Sequence, residues 1–345
     1  MALLRVFLVP VNDRYNRHSP LRMIGKQGQE RLTKSRVVII GCGALGTTIA
    51  NNLVRSGIGF VRIADRDIVE LSNLQRQMLF DEDDVGAPKS IAAVRKLEKI
   101  NSDVIIEPIV DDVNYRNIED IIKTMDVVID GTDNMLIRFL INDACVKHAI
   151  PWVYGGAIET YGMTMNIIPP KSPCFRCLIP DIPGMGELPT CDTVGVLTTI
   201  PIIIGSLQST EVLKILLRKK DINKNLITYD VWYHSFESLE IRKNPHCECC
   251  GEHHFEFLQG KLNEDVVSLC EKGAIQISPV KKSVVSFDEL EKKLRNVGEV
   301  ENRKIILRCK IQNYELNIFK NGRAIIMGTN DKKIAKSLYA KYIGL

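Results

Sequence analysis

Gly41-Cys42-Gly43-Ala44-Leu45-Gly46 follows directly on the apolar run Val37-Val38-Ile39-Ile40 and opens a stretch of helical length, Leu45–Arg55. A strand that turns through G-x-G-x-x-G into a helix is the start of a dinucleotide- or mononucleotide-binding βαβ unit. The first two glycines let the main chain turn tightly and approach phosphate, the third lets helix and strand pack closely, and the helix N-terminus offers free N–H groups to an anion. Gly41, Gly43 and Gly46 are therefore candidate nucleotide contacts. Glycine-rich turns also arise for steric reasons alone, so the neighbouring segments carry the decision.

Outward from this turn, β-branched runs at Phe60–Ala64, Val104–Val110, Val127–Asp130 and Trp152–Tyr154 alternate with amphipathic segments at Lys89–Ile100, Ile118–Lys123 and Ile137–His148. That alternation predicts an α/β fold: a Rossmann-like, mostly parallel sheet with crossover helices. Met163–Ile168 and Leu226–Val231 read as an antiparallel continuation of the same sheet. The nearly uncharged stretch Thr193–Thr210 carries Pro201, Gln208 and several hydroxyl residues, which suits a buried helix from about Val194 to Leu217 better than a membrane span.

Beyond Gly251 the pattern changes. A charged helix at Phe287–Arg295, a strand at Lys304–Cys309, a hairpin turning at Asn321-Gly322 and a final helix capped near Thr329-Asn330-Asp331 predict a small α+β domain. Ile334, Leu338 and Tyr342 are expected on one face of that helix. The expected boundaries are residues 1–270 for the nucleotide-binding domain and 280–345 for the C-terminal one.

A net charge of +4 over 345 residues, without a basic block, gives nucleic-acid binding little support. Met1–Val11 is apolar but interrupted by Arg5 and Pro10 and reads as a short strand or adaptor rather than a signal peptide. Ten cysteines without a secretory signal point to a reducing cytoplasm. Cys174-Phe175-Arg176-Cys177 and Cys247-Glu248-Cys249-Cys250 are spaced to put four thiolates on one structural Zn²⁺, with Cys250 preferred to Cys249 on spacing.

Asp65 ends the second strand, 19 positions past Gly46, where a carboxylate can accept from ribose hydroxyls. These features serve NAD as well as ATP. Ser72-Asn73-Leu74-Gln75-Arg76-Gln77 and Gly86-Ala87-Pro88-Lys89 separate the two, because an Arg and a Lys reached from two loops can hold β- and γ-phosphates that NAD does not have. Asp133, in Asp130-Gly131-Thr132-Asp133-Asn134 just past the fourth strand, can hold Mg²⁺ or cap the following helix.

With Arg14-Tyr15-Asn16-Arg17-His18 and the segments just quoted, the chain resembles the ThiF/MoeB family from about Arg14 to Gly251. The resemblance implies a homodimer that consumes ATP to adenylate the Gly-Gly carboxylate of a ubiquitin-like sulfur carrier. On matching positions it implies ribose binding by Asp65, phosphate binding by Asn73, Arg76 and Lys89, a place for Gln77 in the pocket, and Mg²⁺ at Asp133. Arg17 would reach the neighbouring subunit's ATP. Cys191 matches a loop cysteine that in some members attacks the activated carboxyl and in others is dispensable. Residues from about Val280 onward resemble an extension on some of these adenylyltransferases and lack a sulfur-transferring domain's Cys-headed loop, so sulfur is expected from a separate donor protein.

Overall fold

The computed structural model describes residues 14–182, 191–260, 266–269, 273–277, 279, 285–303 and 305–344. The chain divides into two compact units, Met1–Lys261 and Leu262–Leu345.

In the first unit, helix α1 (Gly25–Leu32) precedes strand β1 (Arg36–Ile40), followed by α2 (Ala44–Arg55), β2 (Phe60–Ala64), α3 (Lys89–Ile100), β3 (Ile105–Ile109), α4 (Ile118–Ile122), β4 (Val127–Asp130), α5 (Met135–Lys147), β5 (Trp152–Ile158), β6 (Tyr161–Ile167), α6 (Thr199–Leu216), β7 (Leu226–Asp230) and β8 (Ser235–Leu239). The strands form one eight-stranded sheet in the order β3-β2-β1-β4-β5-β6-β7-β8. β3 through β5 run parallel, and β6, β7 and β8 add on antiparallel.

β1 and β4 are uninterrupted apolar runs because helices cover both faces of the parallel half. α2, α3 and α6 bury Leu45, Ile49, Leu53, Ala92, Leu97, Ile200 and Ile204 on one face. α4 and α5 bury Ile118, Ile122, Phe139, Leu140 and Ala144 on the other. The chain order reverses between β1 and β4, so a crevice opens at their carboxyl ends.

α6 is the one described helix long and apolar enough to cross a membrane, yet half of it is buried inside the unit. Ile200, Ile204, Gln208, Val212 and Leu216 lie at four-residue spacing on its buried face. The helix begins five positions later than its apolar pattern suggests. Glu159 claims the preceding stretch, donating its N–H to Gly195 O (2.9 Å) and accepting from Leu197 N–H (2.7 Å). β8 was not expected from the sequence: all five of its residues are exposed, so it carries no burial pattern.

The second unit holds a six-stranded sheet ordered β11-β12-β13-β14-β10-β9, built from β9 (Val266–Leu269), β10 (Ala274–Ile277), β11 (Glu299–Asn302), β12 (Ile306–Ile311), β13 (Tyr314–Phe319) and β14 (Ala324–Met327). Helices α7 (Phe287–Leu294) and α8 (Lys332–Tyr342) pack Phe287, Leu290, Leu294, Ala335 and Tyr339 against it. Asp331 caps α8, accepting from Lys333 N–H (2.7 Å) and Ile334 N–H (3.4 Å). The buried positions of α8 are Ala335 and Tyr339, with Leu338 and Tyr342 packed beside them. Ile334, expected on that face, is exposed. The N-terminal segment Met1–Val11, Cys270 and the side chain of Cys191 lie outside the described residues.

Candidate active site

Three of the expected groups meet at the carboxyl edge because each follows a strand that ends there. Gly41 continues β1, Asp65 continues β2, and Gly131 through Asp133 continue β4. A Cβ on Gly46 would fall 2.0 Å from Gly41 O, so only glycine lets helix α2 approach the turn. Gly43 differs, because its Cβ would meet nothing nearer than Gly131 O at 3.9 Å. The protein itself leaves that space open, at the start of a helix whose N-terminus no side chain caps.

Asp65 is buried, and both its oxygens are aligned by the main chain: Oδ2 accepts from Cys42 N–H (2.6 Å) and Oδ1 from Asp67 N–H (2.7 Å). Burial pushes its carboxyl up, while nearby Lys89 and these two N–H groups work against that rise.

Lys89, the first residue of α3, is placed by a short antiparallel contact between residues 67–69 and 86–89. Val69 N–H donates to Ala87 O, Gly86 N–H to Val69 O, and Lys89 N–H to Asp67 O (2.9 Å). Its ammonium is buried and lies 3.3 Å from Asp67 Oδ2. Burial alone would depress the ammonium, but Asp67, Asp65 and Asp133 together hold it above its ordinary range. A cation kept charged inside a pocket suits a polyphosphate.

The segment Leu71–Gln77 winds through a short 3-10 turn. Asn73 is buried, and its Oδ1 accepts from Glu70 N–H (3.2 Å), leaving Nδ2 as the donor it can offer. Arg76 is partly buried and donates to Ser72 O (3.2 Å). Gln77 is buried with its Oε1 lacking a partner among the described residues, and its amide nitrogen lies 4.0 Å from the open position above Gly43. An orphaned buried amide beside unfilled space is the mark of a binding pocket.

Asp133 is exposed and makes no hydrogen bond among the described residues. The helix after it is capped instead by Asn134, whose Oδ1 accepts from Ile137 N–H (3.3 Å). The capping role open to Asp133 on sequence thus falls to its neighbour.

Two residues that the sequence left unassigned shape this edge. Arg138, on α5, donates through Nε to Asp130 (2.9 Å) and through one amino group to Thr132 O (2.7 Å) and Gly155 O (3.1 Å). This buried pair fixes the loop that presents Asp133. The signal was a lone arginine in the otherwise apolar run Met135-Leu136-Ile137-Arg138-Phe139-Leu140-Ile141. Asp67 is the second, and only its main-chain neighbours reveal it.

Arg17 is exposed at the other end of the sheet. The preceding Tyr15 packs on Gly57 and accepts from Asn101 Nδ2 (2.9 Å), past the C-termini of α2 and α3. Helix α2, with 12 residues at 1.5 Å each, sets the two ends about 18 Å apart, so Arg17 is not brought to the glycine turn of its own chain.

The sulfurs of Cys174, Cys177, Cys247 and Cys250 all lie within 4.8 Å of one another. Cys174 and Cys247 are 3.6 Å apart, and Cys177 and Cys250 3.5 Å. Those separations are far beyond the ~2 Å of a disulfide and close to the ~3.8 Å edge of a tetrahedral thiolate site around zinc. Cys249 is not one of these four mutually close sulfurs; it accepts from Asn142 Nδ2 (3.1 Å) and also neighbours Cys174 and Asp143. The main chain of Cys191 opens a short helical turn, Cys191–Val194.

A parallel sheet carrying a glycine turn, a strand-end carboxylate and a buried lysine at its switch point defines a nucleotide-binding α/β enzyme. The ThiF family model matches residues 15–249, and the chain belongs to the ThiF family. Sulfur carrier protein ThiS adenylyltransferase of Bacillus subtilis (strain 168) is 40% identical over 341 residues, covering 97% of this chain and 100% of that one. SAMP-activating enzyme E1 of Haloferax volcanii is 40% identical over 241 residues, 70% of this chain and 89% of its own. Among solved structures, E. coli MccB with ATP superposes with a TM-score of 0.61 at 25% identity, over 70% of this chain and 75% of that one. The chain is an adenylyltransferase of the type that activates ubiquitin-like proteins.

Proposed function

We propose that the protein uses ATP to adenylate the C-terminal glycine carboxylate of a ubiquitin-like sulfur carrier, releasing pyrophosphate. The observation that carries this reading is a buried lysine, Lys89, under the influence of Asp65 and Asp133 at the same carboxyl edge as the glycine turn, where the position at Gly43 is left open. Asp65 holds the ribose, the uncapped N-terminus of α2 and Gln77 receive the phosphates nearer the sugar, and Lys89 and Arg76 neutralise the outer ones, to which Asn73 donates a hydrogen bond. The carrier's carboxylate oxygen attacks the α-phosphorus, and the bond to pyrophosphate breaks. Positioning and charge neutralisation suffice, so the chain needs no acid–base dyad. Mg²⁺ supplies additional charge neutralisation, and Asp133, an exposed carboxylate without another bond, fits such a hard cation. Exchange of labelled pyrophosphate into ATP, dependent on a Gly-Gly-ended carrier, tests the reading; no exchange with any such carrier from the same cell removes it.

The carrier's body docks on β8 and the turn before it. Trp232, Tyr233 and Phe236 are 65%, 77% and 60% exposed. By strand direction, this turn lies on the same carboxyl edge as Asp133. Four strand spacings separate β8 from β4, about 19 Å, a distance that an extended tail of about six residues spans. Trp232→Ala is expected to raise the KM for the carrier several-fold and leave the KM for ATP unchanged in steady-state kinetics.

Cys191 stands near this path. Its main chain opens the turn Cys191–Val194 that directly precedes Gly195, which is bonded to Glu159 just past the carboxyl end of β5, and we assign it the role of receiving an acyl group from the adenylate with AMP leaving. Zinc in the four-cysteine cluster and a reducing cytoplasm complete the proposal, with sulfur brought by a separate protein.

Arg17 acts on a second copy, because its own chain holds it at the far edge. Mixing inactive Arg17→Ala with inactive Asp133→Ala protein should then restore activity. Half the dimers are mixed and each has one intact site, so recovery approaches about one quarter of wild type. No recovery after subunit exchange would remove the shared site.

A further inference from the structure

We propose that Arg66 is a positioning residue for the phosphate-gripping lysine: by bridging Asp112 and Asp67 it keeps Asp67 from capturing Lys89. This rests on the reading of Lys89 as a phosphate ligand. The main chain brings Asp67 and Lys89 together, since Lys89 N–H donates to Asp67 O and residues on both sides are bonded across the same contact. An aspartate held there would neutralise the lysine in a tight pair, and a phosphate would have to break it.

Arg66 competes for the same carboxylate. Its Nε lies 3.7 Å from Asp67 Oδ1, while one of its amino groups binds Asp112 Oδ1 at 2.9 Å. The resulting chain runs Asp112, Arg66, Asp67, Lys89 along the carboxyl ends of β3 and β2 to the start of α3. Asp67 is shared between Arg66 and Lys89, so it orients Lys89 at a long 3.3 Å without satisfying it. Arg66 itself is anchored: its side chain is 23% exposed and Asp112 faces it from the loop after β3. Two further charges act on this chain: Asp133 on both Arg66 and Lys89, and Asp65 on Lys89.

The test uses the full-length chain and the variants Arg66→Met, Arg66→Lys, and Arg66→Met combined with Asp67→Asn. ATP affinity is read by calorimetry and KM and kcat by pyrophosphate exchange. Arg66→Met should raise the Kd and KM for ATP about tenfold, the scale of one weakened charge-assisted contact, with kcat within about twofold and the carrier's KM unchanged. Arg66→Lys should restore most of the affinity, and so should Asp67→Asn in the Arg66→Met chain, because it removes the competitor for Lys89.

An unchanged ATP affinity in Arg66→Met overturns the proposal. So does a defect that Asp67→Asn leaves in place, and so does a loss that falls on discrimination between ATP and GTP, which would make Arg66 a base contact. If the wild-type chain shows no exchange, the functional reading fails separately, and the affinity series still decides the role of Arg66 through nucleotide binding.

Discussion

Asp133→Ala is expected to lower carrier-dependent pyrophosphate exchange by about 10²- to 10³-fold, the loss seen when one charge-stabilising group is taken from a transition state. The structure separates this effect from any on folding. Asp133 is exposed, and Asn134 rather than Asp133 caps the next helix. The loop's shape is held by the buried pair of Arg138 with Asp130. Thermal stability should therefore stay within about 0.5 kcal/mol of wild type. Arg138→Ala makes the contrast: it would leave Asp130 buried without its cation, and stability should fall with activity by about 3–5 kcal/mol. Full exchange activity in a folded Asp133→Ala chain would show that no cation essential to the reaction rests on this carboxylate.

The nucleotide edge was legible in sequence because each of its parts is local: a residue just past an apolar strand lies at that strand's carboxyl end once the strands are parallel. Gly41, Asp65 and Asp133 follow this rule. Asp67 and Arg66 do not. Their roles come from residues 86–89 and from Asp112, and nothing within the segment Asp65-Arg66-Asp67 announces either partner. β8 escaped for a different reason. Ser235–Leu239 is exposed on both faces, so the alternation that marks a half-buried strand is missing. The start of α6 escaped because the apolar pattern continues through Val194–Leu197, whereas Glu159, some 35 positions earlier, takes up the main-chain groups there. In the C-terminal unit the capping signal at Asp331 was local and readable. Which face of α8 is buried depends on the sheet beneath it.

Cys250→Ser is expected to lower the melting temperature by about 10–20 °C, whereas Cys249→Ser retains the metal. The two cysteines are adjacent in sequence and differ in what their sulfurs meet. Cys250 lies 3.5 Å from Cys177 inside the four-sulfur cluster, while Cys249 accepts from Asn142. With a zinc ion in the cluster, four thiolates leave no open position, so its contribution is to stability. The cluster ties residues 174–177 to residues 247–250. Phe175, between the first pair, packs edge-on against Phe139 at 5.3 Å, and Phe139 stacks on Phe257 at 4.9 Å. Releasing the metal therefore loosens the aromatic core beneath α5 as well as the loop. A loss on the order of 5 kcal/mol corresponds to that fall in melting temperature for a unit of this size. Metal content per chain and melting curves, measured on both variants with and without chelator, give the test. Cys250→Ser should lose the ion and become insensitive to chelator, and Cys249→Ser should keep one ion per chain and remain chelator-sensitive. Equal metal loss in both would mean that Cys249 shares the site. Unchanged melting in Cys250→Ser would mean that the hydrophobic contacts of Phe175 hold the segment without a cation.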